Sequence, residues 1–184
     1  MEDDDDTLVA RYRKGEDEAF TLLLERYLRM VYNFCYRFTR TSAEAEDVAQ
    51  ETFVKVWRYI DRYTIGKNFK AWLLTIARNT TLDHLRKRKE IVLSQFDHEG
   101  SNSVLDTLAS TDPTPIEASL RHESAEAIER ALQEVPVLYR EVLVLRFQED
   151  LTFEEISTVV KKPLNTVKSQ YRRGIALLRS KLQL

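Results

Sequence analysis

The chain has 184 residues, room for two small helical domains or one of ordinary size. A hydrophobic fraction of 43% and a charged fraction of 32% exclude wholesale disorder, and only four glycines and four prolines argue against a turn-rich all-β fold. The formal net charge of -2 does not mark a nucleic-acid binder, but the charge is unevenly spread: residues 2–6 are acidic, while 86–89 and 161–181 are basic. Two basic patches separated by acidic chain suit a protein that touches DNA twice. Solvated helix faces would give the same pattern, so charge alone leaves both readings open. Cys35 is the single cysteine, which excludes an intramolecular disulfide and a cysteine-based zinc cluster and fits the reducing cytoplasm. Among Tyr32, Phe34 and Tyr36 it reads as a buried thiol. No stretch approaches the roughly 18 apolar residues of a membrane span, and the acidic start is unlike a signal peptide, so no membrane insertion is expected.

Residues 8–89 read as a run of helices. Gly15 punctuates the first, and 17–38 forms an aromatic-rich second. Thr41-Ser42-Ala43-Glu44 has the pattern of a capping box and opens a third helix to about Ile60. The segment 61–68, with Gly66, reads as a loop, and a fourth helix spans 69–89. From Ile91 to Leu120 there is no Lys or Arg, several acids, and the Pro113-Thr114-Pro115 punctuation. This is an acidic linker with a short helical turn around 104–108. Further helices are expected over 116–133, 136–148, 152–160 and 166–182, with Pro136 in a first turn and Thr152-Phe153-Glu154-Glu155 as a second capping box. The fold class is all-α: a domain over 1–90, a flexible acidic linker over 91–115, and a second domain over 116–184.

The last two helices have the signature of a helix-turn-helix, two short helices around a tight turn with a basic second member. In the turn, residues 161–165, Pro163 ends the first helix and Asn165 is positioned to cap the next. Val167, Tyr171, Gly174 and Leu178 form the buried stripe, leaving Thr166, Lys168, Ser169, Gln170, Arg172 and Arg173 outward. Hydroxyl, amide and guanidinium groups there can read base edges and phosphates in a major groove.

In the first domain the fourth helix has an apolar stripe at Leu74, Ala77, Thr81 and Leu85, with Asn79, Asp83, Arg86 and Lys87 elsewhere on its surface. The preceding loop offers Tyr63, Lys67, Asn68 and Phe69. Rings beside amides and cations suit unstacked bases, although residues such as Tyr63, Phe69 and Trp72 are more often core than base platforms. Glu44, Asp47 and Glu51 share a face of the third helix, an acidic surface for a basic partner or for solvent. With no Glu-x-x-His pattern and three scattered histidines, no metal and no cofactor are expected. No nucleophile–base pair or phosphate loop is visible, so the chain reads as a protein that is not an enzyme.

These residues together resemble a known family. The segment from Ala45 to Trp57 (AEDVAQETFVKVW) resembles the core-polymerase-binding segment of extracytoplasmic-function sigma factors of the sigma-70 family. Phe69-Lys70-Ala71-Trp72-Leu73, Ile76-Ala77-Arg78-Asn79 and Asp83-His84-Leu85-Arg86 are similar to their -10-reading helix. Tyr139-Arg140-Glu141-Val142-Leu143, the run from Leu151 to Ile156, and Thr166-Val167-Lys168-Ser169 are similar to their -35-reading domain. The resemblance implies two domains, region 2 and region 4, and a factor that directs core RNA polymerase to promoters. It implies a role for Glu44, Asp47, Gln50 and Glu51 on the clamp helices of the largest polymerase subunit. Tyr63, Lys67, Asn68, Phe69, Asn79, Asp83, Arg86 and Lys87 would melt and read the -10 element. Thr166, Lys168, Ser169, Gln170, Arg172 and Arg173 would read the -35 element, with the β-subunit flap meeting an apolar surface of region 4. It further implies a linker that threads toward the polymerase cleft and an anti-sigma factor, often membrane-anchored. A stand-alone helix-turn-helix regulator is the alternative. Two departures stand out: Lys161 and Asn165 occupy positions where the family usually has glycine, and the loop Ile65-Gly66-Lys67 is unusual.

Overall fold

The computed structural model describes residues 3–39, 41–95 and 121–182. Within them lie eight α-helices, one short 3-10 turn and no strand. The chain divides into two compact units between Ile91 and Val92.

The N-terminal unit holds α1 (Asp5–Arg13), α2 (Asp17–Tyr36), α3 (Ser42–Tyr59), the 3-10 turn (Ile60–Arg62) and α4 (Phe69–Gln95). Asp4 caps α1, its carboxylate accepting from the Thr7 N–H at 2.8 Å, and two further aspartates in the first turn face the positive end of the helix dipole. Gly15 turns the chain toward α2 with φ +96°, a conformation that glycine adopts without a Cβ clash. Thr41 caps α3, its hydroxyl accepting from the Glu44 N–H at 3.2 Å. The core is a contiguous set of side chains from all four helices, among them Leu8, Val9, Leu23, Val31, Phe34, Val48, Val56, Leu73 and Leu74. Full burial of one such side chain stabilises the fold by about 1.5–3 kcal/mol before entropy is counted. Cys35 is part of this core, with the Thr81 hydroxyl directed at its Sγ from 3.7 Å.

The C-terminal unit holds α5 (Arg121–Glu134), α6 (Val137–Phe147), α7 (Phe153–Val160) and α8 (Leu164–Leu182). Leu132, Val135 and Leu143 are its buried centre, with Tyr139, Tyr171, Ile175, Leu177 and Leu178 packed around them. Gly174 lets α8 lie against α6: a Cβ at that position would stand 3.1 Å from Leu143 Cγ. Arg140 is buried, its guanidinium donating to the Val135 carbonyl at 3.0 and 3.1 Å, to Gln133 Oε1 at 2.9 Å and to the Gln133 carbonyl. These carbonyls lie at the end of α5, where a helix's last C=O groups have no intrahelical N–H donors. A buried cation thereby caps α5 and locks it to α6.

Several boundaries differ from the sequence-based expectation. The fourth helix runs to Gln95 rather than Lys89, so the first five residues assigned to the acidic linker are helical. Straight-chain and apolar residues continue through Leu93, and no glycine or proline intervenes before Gly100. The rest of that linker, including the turn expected at 104–108 and the helix start expected at 116, lies outside the described residues. Pro136 is the N-cap of α6, not a residue of its first turn. Asn165 does not cap α8; Pro163 stands before the helix, its carbonyl accepting from Thr166 and Val167 N–H, and Asn165 is inside the first turn.

Candidate nucleic-acid and protein interfaces

The helix-turn-helix in the C-terminal unit is formed by α7, the turn 161–163 and α8. Thr152 and Glu155 complete a reciprocal capping box at the start of α7, with Thr152 N–H donating to Glu155 Oε2 at 2.7 Å and Glu155 N–H to Thr152 Oγ1 at 3.2 Å. Lys161 leaves α7 in the left-handed region, φ +53° and ψ +47°. Its N–H donates to the Thr158 carbonyl and that of Lys162 to the Ser157 carbonyl, the paired bonds of a Schellman motif. The Ser157 hydroxyl donates to the Lys162 carbonyl at 2.6 Å, and Lys162 Nζ stands 3.5 Å from the buried carboxylate of Glu141 on α6. The turn is therefore fixed to the body of the unit, and with it the angle at which α8 is presented.

On α8 the structure separates the predicted readers. Thr166, Arg172 and Arg173 are exposed, and Lys168 and Ser169 are half-exposed. Gln170 is buried at 7% exposure, which corrects its expected outward position. It lies roughly 60° around the helix from Val167, on the side of Leu177, and so falls within the buried stripe. Asn165, expected as a cap, is instead exposed at the start of the recognition surface beside Ser169 and Arg172. The helical spacing of 165, 169 and 172 carried that signal; the capping reading hid it.

The N-terminal unit places the loop 63–68 and the outer stripe of α4 side by side in sequence. Asn79 and Asp83 are half-exposed, Arg86 and Lys87 exposed, and Arg86 Nη1 lies 3.5 Å from Asp83. Lys67 is exposed. Tyr63 and Phe69, expected as base platforms, are core residues at 3% exposure each. Their rings pack on each other at 5.2 Å and on the Trp72 ring at 5.5 Å, with Tyr27 against Phe69 at 5.6 Å. Trp72 and Tyr27, both half-exposed, are the members of this cluster that solvent reaches. Asn68 is the cap of α4: its Oδ1 accepts from the Ala71 N–H at 3.0 Å, and its carbonyl from Trp72 N–H. Ile65, noted in the sequence only as part of an unusual loop, is 45% exposed there.

Along α3, Asp47, Gln50 and Glu51 are exposed on one face. Val54 and Trp57 extend the same stripe, at 47% and 56% exposure, opposite the buried row of Ala45, Val48, Ala49, Thr52 and Val56. The face is thus mixed, acidic at its start and apolar at its end. The sequence held this signal in the 3–4 residue spacing from Asp47 to Trp57, but only the acidic members of the face were singled out there. Glu51 is held 2.8 Å from Lys55 Nζ, and this pairing lowers its carboxyl below the ordinary value. Glu44 is different: half-buried, it accepts from Arg88 Nη1 at 2.7 Å and faces His84 Nε2 at 3.8 Å. It ties α3 to α4, which corrects its expected place on the outward face.

Among the described residues no three His, Cys, Asp or Glu side chains gather as a metal-binding group, and no helix is long and apolar enough to cross a membrane.

Comparison with known proteins matches residues 23–91 to Sigma-70 region 2 and residues 125–178 to Sigma-70, region 4. The chain is similar to the extracytoplasmic-function (ECF) RNA polymerase sigma factor SigW of Bacillus subtilis, 30% identical over 95% of both chains. It is similar to the RNA polymerase sigma-H factor of Pseudomonas aeruginosa, 31% identical over 99% of this chain and 95% of that one. Among solved structures it resembles the sigma factor RpoE of Bartonella quintana in complex with the anti-sigma factor NepR, with a TM-score of 0.75 and 25% identity over 90% of this chain and 97% of that one.

Proposed function

The chain belongs to the extracytoplasmic-function sigma factors of the sigma-70 family, and from that premise we propose a division of labour between its two units. It is a promoter-recognising RNA polymerase sigma factor. The family is not in general enzymatic, and in our reading nucleotidyl transfer belongs to the polymerase while this chain supplies recognition. Its place of action is the cytoplasm.

The C-terminal unit reads the -35 element as duplex. The observation that carries this is the α8 surface, where Asn165, Thr166, Ser169, Arg172 and Arg173 project from a helix whose angle is fixed by the Glu141–Lys162 and Ser157–Lys162 ties. Arginines at that surface are suited to bidentate contact with guanine or to phosphate. Lys161 and Lys162, at the turn, are within the same basic patch and suit backbone phosphates. The N-terminal unit reads the -10 element as single strand, through Lys67 and the loop beside it, Trp72, Asn79, Asp83, Arg86 and Lys87. Capturing an unstacked base offsets the few kcal/mol of stacking lost on opening.

The α3 face of Asp47, Gln50, Glu51, Val54 and Trp57 docks on the clamp helices of the largest polymerase subunit, and region 4 meets the β-subunit flap. A face with an apolar end and an acidic start offers both buried area and charge complementarity to a basic helical partner. The same face is the natural target of an anti-sigma factor, whether or not that factor is membrane-anchored. The test is run-off transcription with core polymerase on upstream regions of the source genome, with and without the chain. Transcripts that appear only with the chain support the reading. Absence of both transcripts and core binding would favour the stand-alone regulator.

A further inference from the structure

The tip of the loop between the 3-10 turn and α4 has no packing to hold it. Thr64, Ile65, Gly66, Lys67 and Asn68 are all exposed, and nothing lies within 4 Å of where a Gly66 Cβ would be. Gly66 takes φ +86°, so its shape depends on backbone conformation and a few polar ties. One is local: Lys67 N–H donates to the Thr64 carbonyl at 3.2 Å. Others reach back to α1, far earlier in the chain.

Asp6 uses both carboxylate oxygens on this loop. Its Oδ2 accepts from the Gly66 N–H at 2.7 Å, and its Oδ1 from the Tyr63 hydroxyl at 2.7 Å. The Tyr63 hydroxyl also lies against the Lys67 carbonyl, so its single proton is shared between the two acceptors. Two helical turns further on, at i+7, Arg13 Nη2 donates to the carbonyls of Ile60 and Tyr63, both at 2.6 Å, with Asp61 3.8 Å from its Nε. Asp6 therefore holds the tip and Arg13 holds the base. Charge-assisted bonds of this kind are among the stronger polar contacts.

We propose that α1, through Asp6 and Arg13, sets the conformation of the 63–68 loop and so helps determine which base the loop accepts from the -10 strand. Asp6 is a positioning residue: it touches the loop and not the DNA. The inference rests on the reading that this loop faces the -10 element. It gives the buried Tyr63 and Asp6 of the acidic N-terminus a part in a site that neither of them lines.

The test uses the full chain and two readouts. Amide exchange at Gly66, followed by NMR, reports the tie without reference to DNA. In Asp6→Ala that amide is expected to exchange about tenfold faster or more, with amides inside α2 and α3 unchanged. Asp6→Asn, which keeps an acceptor oxygen, restores part of the protection. Asp4 remains the cap of α1 in both variants. The second readout is promoter selection by the holoenzyme from a library randomised across both elements. Asp6→Ala and Tyr63→Phe are expected to flatten base preference within the -10 element and leave the -35 preference and core affinity as in the parent. Unchanged Gly66 exchange, or unchanged -10 preference in both variants, would overturn the proposal. So would an equal loss at both elements, which marks a general folding defect. A parent holoenzyme that selects no promoter would instead overturn the sigma reading, before any variant is compared.

Discussion

Arg140 carries a charge into the C-terminal core and spreads it over groups from the end of α5. Removing the guanidinium takes a buried donor from those carbonyls, so Arg140→Ala is expected to cost about 3 kcal/mol in urea unfolding. Lys161 presents the opposite case. It holds a left-handed conformation that a Cβ disfavours, and Lys161→Gly is expected to stabilise the unit by up to about 1 kcal/mol in the same measurement. In the sequence this position stood out only through the family resemblance, as one where glycine is usual and lysine stands. The fate of Gln170 was not legible there. A helical wheel gives directions relative to one another, and which of them faces the neighbour depends on the close approach allowed at Gly174. Tyr63 and Phe69 were open to two readings on sequence, and the aromatic cluster with Tyr27 and Trp72 decides for the core.

At the scale of elements, the helices were largely legible because their caps and periodicity agree. The capping box at Thr152, the glycine turn at Gly15 and the apolar stripes of α2 to α4 are local features. What the sequence could not display was contact over long separations, such as α1 against the loop 63–68 or Glu44 against Arg88. Two predictions belong to helical faces. Alanine at Arg172 and Arg173 is expected to weaken binding to -35 duplex DNA and to lower the slope of log affinity against log salt by roughly 0.9 for each phosphate no longer neutralised. Gln170→Ala, at a buried position, is expected to change stability and leave that salt slope unaltered. On α3, Trp57→Ala and Asp47→Arg are expected to reduce affinity for core polymerase, measured by fluorescence anisotropy, with thermal unfolding close to the parent because both side chains are exposed.

At the scale of the molecule, the N-terminal unit carries a built-in response to alkali. In the N-terminal unit burial pushes the Cys35 thiol from 9.0 up to about 11, and burial also raises the phenols of Tyr27 and Tyr63, each helped by an aspartate hydrogen bond. A raised folded-state value means the neutral form is favoured in the fold. The thiol's contribution is complete below pH 9, where unfolded and folded chains are both protonated. It is lost between pH 9 and about 11, as the unfolded thiol ionises first, at up to about 1.4 kcal/mol per pH unit. Both tryptophans, Trp57 and Trp72, lie in this unit, so tryptophan fluorescence follows its unfolding selectively. The urea midpoint is expected to fall from pH 8 to pH 10.5, and less steeply in Cys35→Ala.

The central claim is that one chain reads two promoter elements by different physics, duplex readout in one unit and base capture in the other. The most direct test is permanganate reactivity of -10 thymines in holoenzyme–promoter complexes, with filter binding of the same complexes as the measure of initial engagement. Variants Arg172→Ala and Arg173→Ala are expected to lower binding while the complexes that form still open. Asn79→Ala and Trp72→Ala are expected to bind and fail to open. The same defect in both measurements for both sets of variants would contradict the division of labour.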